Sequence, residues 1–379
     1  MIRLLHTADW HLGKMIYGRS LLEDQEYFID RQFLPAVERE RPDAVLLAGD
    51  IYDRAVAPLE AIRLFDRVVS ALARMHVPLV AVTGNHDGGE RVALGASLLR
   101  EQGITIVSNL QEAMRPVCLE RGGQRVCIHP LPYFDPPQAR AFLHREDLRG
   151  FHDSMQAVLQ ELRMEWDAQA AHILVAHCFV TGCVSSDSER PLYVGGSGEV
   201  GASLFSAFDY VALGHLHAPQ RSGEKGRYAG SPLKYSFDEA RQKKGMTLIG
   251  IENRQVSVCP LPVSALRDLR EIGGTLEELL QLGKENPSED YLFANLTDSA
   301  PVYLPMEQLR AYYPNLLGLR SQWMACGQTK EREALREGAA GKDDGLIFDT
   351  FLKQICKLEA TDEDRALFRS FCRQAEEGI

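Results

Sequence analysis

The 379-residue sequence has no apolar run of about 18 residues, so no segment reads as a membrane-spanning helix. No pair among its eight cysteines has C-x-x-C spacing, which argues against a zinc knuckle or a thioredoxin-like redox pair. The opening residues, Met1-Ile2-Arg3-Leu4-Leu5-His6, lack the basic start, long apolar centre and cleavage site of a signal peptide. Together these absences predict a cytoplasmic protein with no membrane partner. Its cysteines are expected to be reduced thiols, several of them in apolar strands. Positive charge is also short: 42 Lys and Arg face 53 Asp and Glu, a formal net charge of −11. That balance speaks against a broad nucleic-acid-binding surface. Bound metal would offset several carboxylates, however, and a local basic groove is compatible with an acidic protein. No internal repeat is visible. The 45% hydrophobic and 25% charged content is that of a globular chain, and its length predicts two or three domains.

What is present begins with alternation. Residues 2–8 read as a strand, Leu21 to Glu40 as a helix with an apolar stripe, and Ala44–Ala48 as a strand buried on both faces. A helix follows Pro58 to about Met75, then a strand at Leu79–Val82, a helix from Glu90 to Gln102 and a strand at Ile104–Val107. Strand and helix in turn predict βαβ units and an α/β layer fold. Val117–Leu119 and Val126–Ile128 flank Arg121-Gly122-Gly123-Gln124, a hairpin signal. A helix at about Ser154–Trp166 precedes the strand Ile173–Ala176. Residues 178–200 form a Gly- and Ser-rich loop, long enough to be functional. Tyr210–Leu213 is another strand, and Met246–Ile251 with Gln255–Cys259 is a closing hairpin. Pro260-Leu261-Pro262 marks a boundary. Beyond it, Leu266–Ile272, Leu276–Leu282, Tyr291–Leu296, Met306–Tyr312 and Leu317–Trp323 predict a small α+β domain. Residues 327–345 read as a linker. Leu346 to Ala375 reads as helical with a break near 358–362, restarted by Thr361 and Asp364.

The polar residues of interest share a position. Asp9 and His11, Asp50, Asn85, His177, and His215 with His217 all follow apolar strand-like runs. In open α/β sheets the carboxyl ends of strands gather at one edge, so distant residues meet there. Two aspartates, several imidazoles and an amide form an N/O donor set without thiolate, suited to manganese, iron, magnesium or zinc. Their number exceeds the need of one ion, and two ions sharing a carboxylate would use them all. Singly, each motif is weak; a Gly-Asp pair at a strand end is often only a turn. The ordered series is what points to a site. His6, His76, His129, His144, His152 and His172 are expected to be core or surface residues instead.

Asp9-Trp10-His11-Leu12-Gly13, Gly49-Asp50-Ile51-Tyr52-Asp53, Gly84-Asn85-His86-Asp87, His177 and Gly214-His215-Leu216-His217 occur in that order. With this series the sequence resembles the calcineurin-like metallophosphoesterase superfamily, and within it the nuclease subunits of bacterial SbcCD complexes. Ser186-Asp187-Ser188-Glu189-Arg190 and Tyr228-Ala229-Gly230-Ser231-Pro232 belong to the same likeness. It implies an α/β, four-layer metallophosphoesterase sandwich over residues 1–260, two mixed β-sheets flanked by helices. It also implies a DNA-capping α+β domain at 261–326, and a helical segment at 346–379 that docks on the coiled coil of an SbcC-type ATPase. The implied activity is DNA hydrolysis: 3′-to-5′ on double-stranded ends, and endonucleolytic on single strands and hairpins, in replication, repair and recombination. The implied cofactors are two divalent ions, manganese first and magnesium second. One would be held by Asp9, His11, Asp50 and His217, the other by Asp50, Asn85, His177 and His215. His86 would face the scissile phosphate as a catalytic residue. Asp87 either orients His86 or caps the turn, and Gly84 would permit that turn. A homodimer within a heterotetramer, associated with the nucleoid, is implied as well.

One position departs from the pattern: Asp53 stands where some relatives carry a histidine. Arg190, Lys234, Arg241, Lys243 and Lys244 are candidate phosphate contacts, or simply a solvated face. A phosphodiesterase for small nucleotides, or a catalytically silent scaffold, are the other readings of the same residues.

Overall fold

The computed structural model describes residues 1–164, 166–189, 198–322, 345, 348–349, 352–353 and 359–376. The strands of the two large sheets are β1 (Ile2–Thr7), β2 (Ala44–Ala48), β3 (Leu79–Val82), β4 (Ile104–Val107), β5 (Val117–Arg121), β6 (Gln124–Leu131), β7 (Ala171–His177), β8 (Tyr210–Gly214), β9 (Gln220–Ser222), β10 (Gly226–Tyr228), β11 (Gly245–Glu252) and β12 (Gln255–Pro262). The first sheet runs β12-β11-β1-β2-β3-β4, and the second β9-β10-β8-β7-β6-β5. Strands β1 to β4 are mutually parallel, with β11 antiparallel on β1. In the second sheet β6, β7, β8 and β10 are parallel, edged by antiparallel β5 and β9. Both sheets are therefore mixed.

The apolar runs explain the layering. Leu4, Leu46, Val80 and Val82 from the first sheet pack in one core with Ile128, Ile173, Val175 and Ala212 from the second. Alternate residues of the same strands, such as Leu5, Val45, Leu47 and Ala81, are buried as well. Strands covered on both faces need continuous rather than alternating hydrophobicity. On the far side of the second sheet, Phe151, Met155, Val158 and Leu159 of the helix Gly150–Leu162 pack with Leu174, Ala176 and Leu213. Near the first sheet, Trp10 meets Phe28, Phe33 and Phe65 edge-on, joining the Leu22–Glu40 and Leu59–Arg74 helical segments. The result is the four-layer α/β sandwich.

Several local expectations are corrected. The segment Leu22–Glu40 is helical throughout but passes through a π-helical stretch at Phe28–Phe33. The helix expected from Glu90 to Gln102 is two short pieces, Gly89–Val92 and Ala96–Arg100, because Gly95 turns the backbone left-handed with φ +77°. A helix at Pro136–Leu143, opened by a capping box between Asp135 and Gln138, adds to the predicted elements. Cys118 and Cys127 are bonded as a disulfide rather than reduced. They are direct partners in the β5–β6 register, with Cα atoms 4.2 Å apart. Among the described cysteines, Cys178, Cys183, Cys259 and Cys372 are free. Cys326 and Cys356 lie outside the described residues.

The chain divides into two compact units, Met1–Leu269 and Arg270–Ile379. The second contains a three-stranded sheet of β13 (Leu269–Gly274), β14 (Tyr291–Leu296) and β15 (Leu316–Ser321), with helices Leu276–Glu285 and Pro305–Arg310. Leu279, Leu292, Ala294, Leu309 and Leu316 form its core. Thr275 and Glu278 cap the first helix reciprocally. Helix Asp362–Glu376 begins where Thr361 and Asp364 exchange hydrogen bonds of 2.9 and 3.2 Å. Residues 327–344 of the predicted linker and most of the helix expected at 346–358 lie outside the described residues. Among the described residues, no helix is long and apolar enough to cross a membrane.

Candidate metal centre

The loops after β1 and β2 run side by side. Asp9 N donates to the Gly49 carbonyl (3.0 Å), His11 N to Asp50 (2.9 Å) and Leu12 N to Ile51 (2.9 Å). This extends the strand register into the site. Gln25 clamps the first loop from behind, its amide nitrogen donating to the His11 carbonyl at 2.8 Å and its oxygen accepting from Gly13 N at 2.9 Å. Four predicted ligands take left-handed backbone angles: Asp9 (φ 54°), His11 (45°), Asp50 (50°) and His215 (108°). Non-glycine residues adopt this region at an energetic cost, and such strain collects at functional sites.

Asp50 is the hub. Its Oδ2 lies 3.5 Å from His11 Nε2, 3.4 Å from His177 Nε2 and 4.0 Å from His86 Nε2. Its Oδ1 accepts from His86 N at 2.9 Å. Asp9 Oδ1 accepts from His215 N at 2.8 Å and lies 3.8 Å from His177 Nδ1. Two groups of donor atoms each fall within 4.8 Å: His11, Asp50 and His86, and Asp9, Asp50 and His177. Asp50 belongs to both. His217 joins through a 3.1 Å approach of its Nε2 to His11 Nε2, and Asn85 through a 2.9 Å approach of its Oδ1 to His177 Nε2. The His215 ring stands 5.3 Å from the His177 ring. All the predicted ligands are thus gathered where the carboxyl ends of strands from both sheets meet, together with His86.

Glycines make room for this convergence. A Cβ on Gly84 would lie 2.2 Å from Asp50 Oδ1, and one on Gly214 would lie 1.8 Å from the Ala48 carbonyl oxygen. Gly84 does not have a positive φ, so its role is space for the Asp50 carboxylate rather than the expected turn freedom.

The electrostatics are those of an ion site. Burial, then the Asp50 carboxylate, push Asp9 well above the usual carboxyl range, and burial raises Asp50 too. Burial also lowers His11 and His215, and brings His177 down to about 4. The imidazoles are therefore neutral donors, while the carboxylates lack enough positive charge to stay ionised. A divalent cation would make up that deficit. Asp9 Oδ2 is buried with no hydrogen-bond partner among the described residues. His177 Nδ1 approaches the Ala48 carbonyl at 3.0 Å and so carries the proton. Its Nε2 then presents a lone pair to the Asn85 oxygen. Two acceptors 2.9 Å apart in this orientation repel, and a cation held by both would relieve the repulsion. The donor set therefore fits divalent metal.

Three expectations change here. The Asp87 carboxylate accepts from Ile51 N (3.1 Å), Tyr52 N (2.9 Å) and Gly84 N (2.9 Å). It caps the turn, while His86 Nδ1 meets the Asp53 carbonyl at 2.8 Å. Lys244 is buried in an ion pair with Glu239 at 2.6 Å, and Lys234 Nζ bonds Asp268 and the Ala240 carbonyl, so neither presents its charge to a phosphate. Arg241 and Lys243 are not buried, and Arg190 lies outside the described residues. Asp53, the departing position, pairs with Lys14 at 2.9 Å and lies 3.6 Å from His11 Nδ1. Sequence reasoning missed Glu239 and Gln25, whose partners are remote in sequence. It had singled out the stretch containing Ser188 as part of the functional 178–200 loop and of a likeness, without a role for Ser188 itself.

This fold and donor set define a metallophosphoesterase, a hydrolase of phosphate ester bonds. The profile of the calcineurin-like phosphoesterases matches residues 2–219. A second profile, that of the type 5 capsule protein repressor C-terminal domain, matches residues 265–355. Over 357 residues the chain is 33% identical to the SbcD subunit of the SbcCD nuclease from Staphylococcus saprophyticus, covering 93% of each protein. The chain belongs to the SbcD family of calcineurin-like phosphoesterases.

Proposed function

We propose that this chain is a metal-dependent DNA nuclease, the nuclease subunit of an SbcCD-type complex that processes DNA ends in repair and recombination. The observation that carries the hydrolytic reading is the Asp50 carboxylate, shared between two groups of buried donors. The likeness to a nuclease subunit over 93% of the chain supports DNA as substrate and an SbcC-type ATPase as partner. Asp9, His11, Asp50 and His217 would hold one ion, and Asp50, Asn85, His177 and His215 the other. Neighbouring donors about 2.1 Å from a six-coordinate ion sit about 3 Å apart, close to the 2.9 and 3.1 Å approaches here. That supports manganese or magnesium.

When bound, the ions supply Lewis acidity and an activated water for in-line displacement at phosphorus. The Asp53 carbonyl anchors His86 at Nδ1 and leaves Nε2 turned toward Asp50. Nε2 is therefore the atom that would hold a proton for the departing 3′ oxygen. Asp87 keeps the turn carrying Asn85 and His86 in place through its three backbone bonds. Arg241 and Lys243 are available for backbone phosphates, a local contact on an acidic protein. Residues 261–326 would cap the DNA and 346–379 would dock on the ATPase coiled coil, in a cytoplasmic heterotetramer with a homodimer of this chain.

The test is a manganese-dependent nuclease assay on hairpins and blunt-ended duplexes, with and without an SbcC-type ATPase. Cleavage that requires manganese and is stimulated by the ATPase is expected. Hydrolysis of small phosphodiesters with no cleavage of any DNA in either condition would overturn the proposal.

A further inference from the structure

Four residues outside the donor series surround His217, and their hydrogen bonds can be ordered. Lys244 Nζ lies 2.6 Å from Glu239 Oε2, and both side chains are buried. The ammonium holds Glu239 as a carboxylate, which only accepts. Ser188 Oγ makes a short contact with Glu239 Oε1, so the hydroxyl proton points there. The same Oγ is 2.6 Å from His217 Nδ1 and, with its proton committed, accepts from the ring. Glu239 Oε1 itself lies 3.2 Å from Nδ1 and requires the same proton. Nδ1 therefore carries hydrogen, and Nε2 keeps the lone pair that faces His11.

The main chain of His217 is held by the same groups. Its N–H donates to Glu189 Oε1 at 2.6 Å, and its carbonyl accepts from Lys244 at 2.8 Å. The other Glu189 oxygen accepts from Ser186 N at 2.7 Å, closing a turn over 186–189. Asp187 N donates to Asp238 Oδ2 at 2.9 Å, tying that turn to the segment that carries Glu239. One turn thus grips both the ring and the backbone of one metal-facing histidine.

We infer that Ser188 and Glu239 are positioning residues that lock His217 in its Nδ1–H tautomer for cation binding, coupling the 186–189 turn to the metal centre. The inference rests on the metal-site reading above. Its test uses the full chain with ¹⁵N-labelled histidine. Long-range ¹H–¹⁵N spectra of the metal-free protein report the tautomer, and calorimetric titration with manganese reports affinity. The wild type should show His217 as Nδ1–H. Ser188→Ala leaves only the 3.2 Å contact from Nδ1 to Glu239 Oε1, so it should loosen rather than abolish that preference and weaken one manganese site by about 10-fold, with Ser188→Thr restoring the affinity. Glu239→Gln should act in the same direction. Because it leaves Lys244 without its counter-charge, Ser188→Ala, which removes only a hydroxyl, is the deciding variant. A wild-type Nε2–H tautomer, or a Ser188→Ala protein with unchanged tautomer and affinity, overturns the inference while leaving the metal site intact. A wild type that takes up no manganese overturns both readings, and is seen before any variant is compared.

Discussion

Replacing Gly84 with alanine changes one hydrogen for a methyl and strikes the hub of the site. The new carbon would stand 2.2 Å from Asp50 Oδ1, 2.8 Å from its Cγ and 2.5 Å from its backbone nitrogen. Non-bonded contact of such atoms is comfortable at roughly 3.5 Å, so the carboxylate must retreat by roughly 1 Å. Rotation of the side chain cannot relieve the clash with the nitrogen, because the Asp50 carbonyl is tied to His11 N at 2.9 Å. Metal ligands tolerate displacements of about 0.2 Å, well below this retreat. The bond from His86 N to Asp50 Oδ1 would be lost in the same movement. Overpacking should cost about 1–3 kcal/mol of stability, and a displacement of this size should cut turnover by about 100-fold. Urea unfolding with and without manganese separates the two effects. At free manganese about 100 times its Kd the wild type should gain about 2.7 kcal/mol, and Gly84→Ala should gain little. A variant with wild-type turnover and the full manganese-induced gain would refute the assignment of Asp50 as the shared ligand.

His86→Ala should leave manganese uptake near wild type and lower turnover by about 100-fold or more. Loss of manganese together with activity would make His86 a ligand, as its place beside His11 and Asp50 permits. Acid sensitivity should come partly from His6, which burial holds neutral, its pKa lowered from 6.5 to about 3, between Tyr210 and the Leu213 carbonyl. The unfolded chain takes up the proton below pH 6.5 and the folded chain does not. This contribution is therefore complete above that pH and is lost as pH falls from 6.5 toward 3. The slope is up to about 1.4 kcal/mol per pH unit. Urea titrations of the metal-free protein from about pH 7 to 4 should show a slope shallower by about one proton in His6→Gln; equal slopes would count against the buried neutral ring.

Local chemistry made much of this molecule legible from its residues alone. Ala44–Ala48, Leu79–Val82 and Ile104–Val107 are strands at the predicted bounds, because a strand covered on both faces must be apolar at every position. Asp9, His11, Asp50, Asn85, His177, His215 and His217 could be picked out because polar residues at the ends of buried strands need a reason to be there. What could not be read were partnerships set by tertiary packing. Asp87 resembles a catalytic neighbour of His86 until the loop after β2 presents its N–H groups to the carboxylate. Lys244 looks like a solvated cation until Glu239 is seen against it. Gly95 breaks a helix whose apolar spacing continues past it.

The sequence by itself determined the α/β layering and the kind of atoms at the site, since periodicity and donor chemistry are properties of short stretches. Only the tertiary structure decided which atoms face which. It joined Ser188 to His217 across 29 residues and His11 to His217 across 206. Such distances in the chain carry no local signal, and the tautomer of a buried histidine depends on the one partner that reaches it.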